Sequence, residues 1–218
     1  MEKFELYSYY RSSASFRVRI ALNLKKIAYD LHPVNLIKDG GQQKTDEYRK
    51  LNPSGQVPTL VHGGNILGQS MAILDYLDLV VPEPRLFSKD PYQRALQIQA
   101  CEIINSGIQP LHNLAVLNEL GNQAGFDQAR KDTWTIHWLT NGMRTFEKFI
   151  SGHAKEFSFG SQVSAVDCFM IPSFYNVQRY HIDESKFPNC MRISKSCLDL
   201  EPFQLAHPNA QPDFPPPA

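Results

Sequence analysis

Two adjacent hydroxyls, Ser12 and Ser13, stand among cations in the stretch Arg11-Ser12-Ser13-Ala14-Ser15-Phe16-Arg17-Val18-Arg19. Behind them Phe16, Ile20 and Leu24 recur four apart, with Ala21 filling in, which is the spacing of one helix face. Ahead of them Phe4, Leu6 and Ser8 alternate as in a first strand. The serines therefore sit where a strand hands over to a helix. A hydroxyl there can cap the helix, because the first turn leaves backbone N–H groups without partners. The same N-terminus carries partial positive charge and can hold an anion. Two readings stay open: capping alone, or one hydroxyl left to donate to a thiolate. A helix N-terminus offers an anion roughly 0.3–1 kcal/mol, and a hydrogen bond to a charged group about 1.5–3 kcal/mol. At about 1.36 kcal/mol per pH unit, the two together lower a thiol's pKa by roughly one to three units. A thiol starting near ~8.5 is then largely ionised at neutral pH.

A second helix start has the same character. Gly68-Gln69-Ser70 precedes Met71, Ile73, Leu74 and Leu77 at helical spacing, so Gln69 and Ser70 open another helix and another anion site, with a capping serine as the plainer alternative. Between the two lies Asn52-Pro53-Ser54-Gly55-Gln56-Val57-Pro58-Thr59-Leu60-Val61, a turn running into a strand with proline at its start. If the Val57–Pro58 bond is cis, Val57 turns its N–H and C=O outward to pair with an extended peptide; an ordinary edge proline is the other reading.

These sites need a frame. Ala28–Val34 reads as a second strand, Gly40-Gly41 as a break, and Gln42–Leu51 as a polar helix. Gly63-Gly64 separates Thr59–His62 from Asn65–Leu67 as a hairpin. The order β-α-β-α-β-β-α is that of a thioredoxin-like domain. Such domains carry redox cysteines at the first strand–helix junction; here Ser12-Ser13-Ala14-Ser15 occupies it, so any reactive sulfur must arrive with a ligand. Val80–Pro91, with three prolines, reads as a linker. After it strand signals stop. Asp90-Pro91 starts a helix that Gly107 and Pro110 should break, Leu111–Leu117 resumes it, and a long helix covers about 127–150 with Trp134, Trp138 and Phe149 as core. Ser164–Asp167 fits a capping pattern, Cys168–Tyr175 a buried helix, and 187–200 a final helix. The tail 208–218, with five prolines, reads as extended surface chain. The expected architecture is α/β plus all-α: a thioredoxin-like domain over 1–81, a linker over 82–90 and a helical domain over 91–218.

Composition narrows the function. Of 218 residues, 22 are Lys or Arg and 22 Asp or Glu, so the formal net charge is zero. That argues against nucleic acid or an anionic membrane as partner, since both demand a basic surface. No apolar run approaches the ~20 residues of a membrane span, and the N-terminus lacks the apolar core of a signal peptide. Cys101, Cys168, Cys190 and Cys197 form no C-x-x-C pair and read as reduced cytosolic thiols. The seven histidines show no i,i+4 pair and point to no metal.

Four motifs carry a resemblance: Ser-Ser-x-Ser-x-Arg-Val-Arg, Asn-Pro-x-x-Gln-Val-Pro-Thr-Leu, Gln-Ser-x-Ala-Ile and Gly-Ile-Gln-Pro-Leu-x-Asn-Leu. Over about Leu6–Pro212 the chain resembles the zeta-class glutathione transferases. The first and last motifs are specific to that class, and the middle two are shared across glutathione transferases. The resemblance implies that Ser12 activates the thiol of glutathione and that Ser13, Ser15 and Arg17 lie in the same binding segment. It implies that Gln43 lies near the glycine end of the tripeptide and that Val57 pairs with its cysteinyl backbone before a cis proline. Gln69 and Ser70 then hold the γ-glutamyl group. Gln109, Asn113, Leu114 and Ala115 are the helical domain's contribution, and Arg179 matches an arginine for a substrate carboxylate, with a solvated helix-end arginine as the alternative. Ala14 stands where the class usually has cysteine and Phe16 where it has tryptophan, and there is extra length near His153–Phe159.

The implied activity is glutathione-dependent cis–trans isomerisation of a small dicarboxylic enedione, maleylacetoacetate to fumarylacetoacetate, in tyrosine and phenylalanine breakdown. It calls for an ionised thiol and cations for two carboxylates. Arg11, Arg17 and Arg179 are the candidate cations, since arginine binds carboxylates bidentately, and Arg19 is a candidate structural ion-pair partner. The rivals are conjugation of small electrophiles or dehalogenation of 2-haloacids, and a transferase-like module that only binds proteins. A cytoplasmic homodimer is the expected setting.

Overall fold

A computed structural model describes residues 2–215. Strand β1 (Phe4–Ser8) buries Phe4, Leu6 and Ser8 on one side, as its alternation requires. It is the centre of a four-stranded sheet. Parallel to it runs β2 (Tyr29–Pro33), with Leu6 opposite Leu31, and antiparallel runs β3 (Thr59–His62), with Leu6 opposite Leu60. Strand β4 (Asn65–Gly68) pairs with β3 and closes the order β2-β1-β3-β4. A parallel pair needs a crossover, and helix α1 (Ser13–Leu24) supplies it. Its residues from Ser15 to Leu22 are all buried. The β3–β4 turn is the pair Gly63-Gly64, both at positive φ (57° and 78°), the combination a two-residue hairpin demands. Two short 3-10 turns and α2 (Asp46–Leu51) follow β2, and α3 (Ser70–Val80) follows β4. The thioredoxin-like order expected from the sequence is the order found.

The other elements are helical. Helix α4 (Pro91–Asn105) is capped by Asp90, whose Oδ1 accepts from Gln93 N–H at 2.8 Å. It ends before Gly107, and the chain passes through a 3-10 turn, Gln109–His112, into α5 (Leu114–Ala124). Helix α6 (Gln128–Ile150) buries Thr135, Leu139, Met143, Phe146 and Ile150. Trp134, Trp138 and Phe149, expected in the core, are half-buried. They flank this stripe rather than lie on it, and Trp134 Nε1 donates to Leu111 O at 2.7 Å. Helix α7 (Ala165–Arg179) is buried from Ala165 through Phe174, packs on α4 and α6, and accommodates Pro172. Helices α8 (Pro188–Leu198) and α9 (Glu201–Ala206) follow.

The chain divides into two compact units, one of residues up to Leu86 together with those from Leu198 on, the other Phe87–Cys197. The sequence boundaries had placed everything after 91 in the helical part. The difference comes from α9 and the segment beyond it, which pack on α1. The tail is correspondingly not extended on the surface: Pro208–Ala210 forms a 3-10 turn, and Gln211 is buried with Nε2 donating to Leu205 O (2.8 Å) and His207 O (3.0 Å). Residues 216–218 of that tail lie outside the described residues. The proline-rich segment after α3 is also held. Lys25 Nζ, buried, donates to Asp78 Oδ1, Val81 O and Pro84 O at 2.9, 2.7 and 2.9 Å.

Two measurements test these contacts. Asp167, fully buried, accepts from Ser158 N–H and Ser164 N–H, both at 2.8 Å, and completes a capping box with Ser164. Asp167→Leu leaves two buried donors unmet at about 1–3 kcal/mol each, so denaturant unfolding should show a loss of roughly 2–6 kcal/mol, against about 1 kcal/mol for Ser164→Ala. In the first unit, burial and then the Arg19 charge pull the His207 imidazole below its ordinary range near ~6.5. The unfolded chain therefore takes up this proton first as pH falls, so stability is full above about pH 6.5 and declines below it. The unfolding midpoint should fall between about pH 7.5 and pH 5.5, and fall less in His207→Gln.

Candidate active site

Register gathers the candidate residues. Tyr7 of β1 lies opposite Thr59 of β3, and Thr59 opposite Gly68 of β4. The segment leaving β1, the segment entering β3 and the segment leaving β4 therefore meet at one end of the sheet. They are Tyr9–Ser12, Gln56–Pro58 and Gln69–Ser70. The chain leaving β2 joins them, with Val34 N–H donating to Ser8 O at 2.7 Å. Tyr9, Val34, Tyr48 and Val57 form a buried cluster under this end, with Tyr7, Tyr10, Leu36 and Leu51 packed against it.

Ser12 is the N-cap of α1, and its Oγ accepts from Ser15 N–H at 3.2 Å. A hydroxyl has one donor and two acceptor positions, so capping occupies a lone pair and leaves the O–H able to donate. Capping and donation, alternatives in the sequence, are compatible in the structure. Ser13 is the first residue of α1. Ser15 is fully buried, and among the described residues its Oγ has no hydrogen-bond partner. Arg17, equally buried, donates from Nη1 to Ser70 Oγ at 3.0 Å and so ties α1 to the start of α3.

Val57–Pro58 is cis. No hydrogen bond joins the Val57 N–H or C=O to another described residue. The loop before it is braced on its inner side: Tyr48 Oη donates to Gln56 O at 2.8 Å, and Asn52 Nδ2 donates to Gln56 O and to Thr59 Oγ1, both at 2.9 Å. Gln69, at the head of α3, has φ 65° and ψ 113°, a conformation that L residues rarely adopt. Such strain costs of order 1–3 kcal/mol and concentrates where function fixes the backbone. Gln43 is buried in a 3-10 turn; Nε2 donates to Leu36 O at 3.3 Å and Oε1 has no partner among the described residues. It is close enough to Gly41 that a Cβ there would meet its side chain at 2.6 Å, which fixes the second glycine of the Gly-Gly pair.

All four cysteines are buried, and burial raises the Cys190 and Cys197 thiols. The Tyr9 phenol is pushed up to about 12, by burial first and then by its hydrogen bond with Tyr10. Among the described residues no cluster of His, Cys, Asp or Glu could hold a metal, and no helix is long and apolar enough to cross a membrane.

The remaining candidates spread out. Arg11 is exposed at the loop into α1. In the second unit Gln109 begins the 3-10 turn before α5, and Asn113 caps α5 with Oδ1 accepting from Ala115 N–H at 2.9 Å. Leu114 and Ala115 are the first residues of α5. Arg179 is exposed at the end of α7, over the Tyr180 ring at 5.2 Å. Arg19, expected as a structural ion-pair partner, is structural but bonds to carbonyls and a hydroxyl instead of an acid. It is fully buried and donates to Ser8 Oγ, Tyr9 O, Tyr10 O and Ala206 O, at distances of 3.0, 3.3, 3.0 and 3.0 Å. The bracing residues Tyr48 and Asn52 escaped sequence reading as site supports, with only the turn signal Asn52-Pro53 pointing near them.

Comparison with known proteins gives the class. Residues 11–80 match the family described as glutathione S-transferase, N-terminal domain. Maleylacetoacetate isomerase of Rattus norvegicus is 45% identical over 210 residues, 96% of this chain and 94% of that protein. The holo structure of a maleylpyruvate isomerase, described as a bacterial glutathione S-transferase of the zeta class, aligns with a TM-score of 0.93 at 31% identity, covering 97% of this chain and all of the other. Maleylacetoacetate isomerase from Anaeromyxobacter dehalogenans, with dicarboxyethyl glutathione and citrate bound in its active site, aligns at TM-score 0.86 and 34% identity over 99% of this chain and all of the other. Fold and likeness define a glutathione transferase. The chain belongs to the zeta class, the family of the maleylacetoacetate isomerases.

The strain at Gln69 can be measured directly. Gln69→Gly removes the Cβ conflict and should raise stability by about 1 kcal/mol in denaturant unfolding. A loss would mean that the side chain supports the fold in another way.

Proposed function

We infer that the protein is a glutathione-dependent isomerase that converts maleylacetoacetate to fumarylacetoacetate. The observation that carries this is the Ser12 hydroxyl at the head of α1, its acceptor side taken by Ser15 N–H and its donor side available. The site fits glutathione. It offers a donor for a thiolate at Ser12, an unpaired backbone edge at Val57 for an extended peptide, and strained Gln69 beside Ser70 for the charged γ-glutamyl end. Held by these residues, glutathione would supply a thiolate nucleophile, whose addition makes the activated double bond single and free to rotate and whose elimination restores it.

The residues of this chain do the rest. Ser12 donates to the sulfur and favours its anionic form, aided by the helix terminus. Ser13, Ser15 and Arg17 line the same segment, and Arg17 holds Ser70 in place. Gln43 takes the glycine end. Val57 pairs with the cysteinyl backbone, which sets the distance from sulfur to Ser12. Gln109, Asn113, Leu114 and Ala115 are proposed glutathione-binding residues. Exposed Arg11 and Arg179 are proposed partners for the substrate's carboxylates; Arg17, expected in the same role, is fully buried against Ser70 Oγ and braces the site instead. Dicarboxyethyl glutathione in the related active site supports a dicarboxylic substrate. A place in tyrosine and phenylalanine breakdown, a cytoplasmic setting and a homodimeric state belong to the same reading.

Ser12→Ala should lower kcat/KM for maleylacetoacetate by roughly 10²-fold. It should also raise the pKa of bound glutathione, followed by thiolate absorbance, by roughly one to two units. Full activity in that variant would remove Ser12 from the chemistry. Parallel turnover of a 2-haloacid distinguishes isomerisation from dehalogenation as the main activity.

A further inference from the structure

The carboxyl-terminal segment of this chain returns to the residues that carry Ser12. Asp213 Oδ2 accepts from Tyr10 N–H at 2.9 Å, and Phe214 meets the Tyr10 ring edge-on, 5.5 Å between centroids at 89°. The carbonyl of the same residue accepts from Arg19 Nη2 at 3.0 Å, while Arg19 Nε reaches Ala206 O at 3.0 Å. The Tyr10 residue is thus gripped on both its N–H and its C=O, once by the tail directly and once by an arginine that the tail itself helps to hold. Tyr9 O accepts both from Arg19 Nη1 and from Ser12 N–H, at 3.3 and 3.0 Å. A continuous chain of hydrogen bonds therefore runs from Asp213 through Tyr10, Arg19 and Tyr9 to Ser12.

We propose that Asp213 is a positioning residue for Ser12: its carboxylate, accepting the Tyr10 N–H, fixes the loop between β1 and α1 so that the Ser12 hydroxyl points at the glutathione sulfur. A loop between a strand and a helix has few constraints of its own, and a displacement of about 1 Å at a reacting group costs up to roughly 10²-fold in rate. A carboxylate acceptor is stronger than a neutral one, which suits a single bond that must hold a main-chain segment. The proposal rests on Ser12 as thiol activator, and the test separates the two.

Bound glutathione is titrated by thiolate absorbance, with kcat, KM and the unfolding midpoint measured in parallel. Asp213→Ala should raise the thiol pKa by about half a unit or more and lower kcat by roughly threefold to tenfold, with KM for maleylacetoacetate changed less. Asp213→Asn keeps an acceptor oxygen and should recover most of both. A lower unfolding midpoint in Asp213→Ala with thiol pKa and kcat unchanged makes the contact merely structural and overturns the proposal. So does an Asn variant as impaired as the Ala one. If Asp213→Ala does not fold, Phe214→Ala, at a half-exposed ring, carries the same expectation with a smaller shift, and no shift overturns it. Ser12→Ala run alongside marks the source of a failure. If it leaves the thiol pKa in place, the reading of Ser12 falls and the proposal with it; if it moves the pKa and Asp213→Ala does not, only the role of Asp213 falls.

Discussion

The strand register Tyr7–Thr59–Gly68 is the constraint on which the site depends. Each strand is short, so each ends almost as soon as it has paired. Where β1 stops, β3 starts and β4 stops, the three connecting segments are forced together. Neither helix start would matter alone, because an isolated N-terminus attracts an anion only weakly. They are brought to one end of the sheet with the unpaired edge of Val57 between them, so on the proposed reading the start of α1 meets the sulfur and the start of α3 the γ-glutamyl end of the same peptide. A one-residue slip of β3 would turn its inward side chains outward, carrying Val57 away from Tyr9 and Tyr48.

Net neutrality hides how the cations are used. Arg17, Arg19 and Lys25 are buried in the first unit, and each joins distant parts of it: Arg17 the starts of α1 and α3, Arg19 the first loop and the tail, Lys25 the end of α1 and the chain after α3. Burying a charge is costly unless its hydrogen-bonding capacity is met. For Arg19 the partners are three carbonyls and a hydroxyl rather than an acid, and burial accordingly draws its pKa down to about 10. Such a guanidinium holds main chain rather than side chains, which suits a loop whose own sequence gives it no regular structure.

Much of this was legible beforehand, for identifiable reasons. Period-2 and period-4 patterns marked the strands and α1, Gly63-Gly64 marked the hairpin, Ser12 fell at a helix start because capping chemistry is local, and Gln69 did so because the apolar spacing of α3 begins just after it. The long-range contacts were not legible. Nothing in Asp213-Phe214 announces that it meets Tyr10, since a separation of 203 residues leaves no periodic trace, and prolines in the tail misleadingly suggest extension. Trp134 and Trp138 were misread as core because size was weighed above register, whereas Leu139, Met143, Phe146 and Ile150 keep the helical spacing. Arg19 was expected to pair with an acid because sequence shows its charge but not the main-chain carbonyls that surround it.

The choice of a hydroxyl as the group beside the sulfur follows from its surroundings. A buried phenol is a poor alternative here, since Tyr9, raised to about 12, is already engaged with Tyr10. A protein thiol is absent from the first turn of α1, where Ala14 stands, and the four that exist are buried. Serine at the N-cap performs two functions with one oxygen: its lone pair secures the helix whose terminus favours the anion, and its proton remains for the anion itself. The two functions reinforce each other, because any ligand that draws the hydroxyl proton makes the oxygen a better acceptor for Ser15 N–H. On the proposed reading, cap and ligand then stabilise the same geometry.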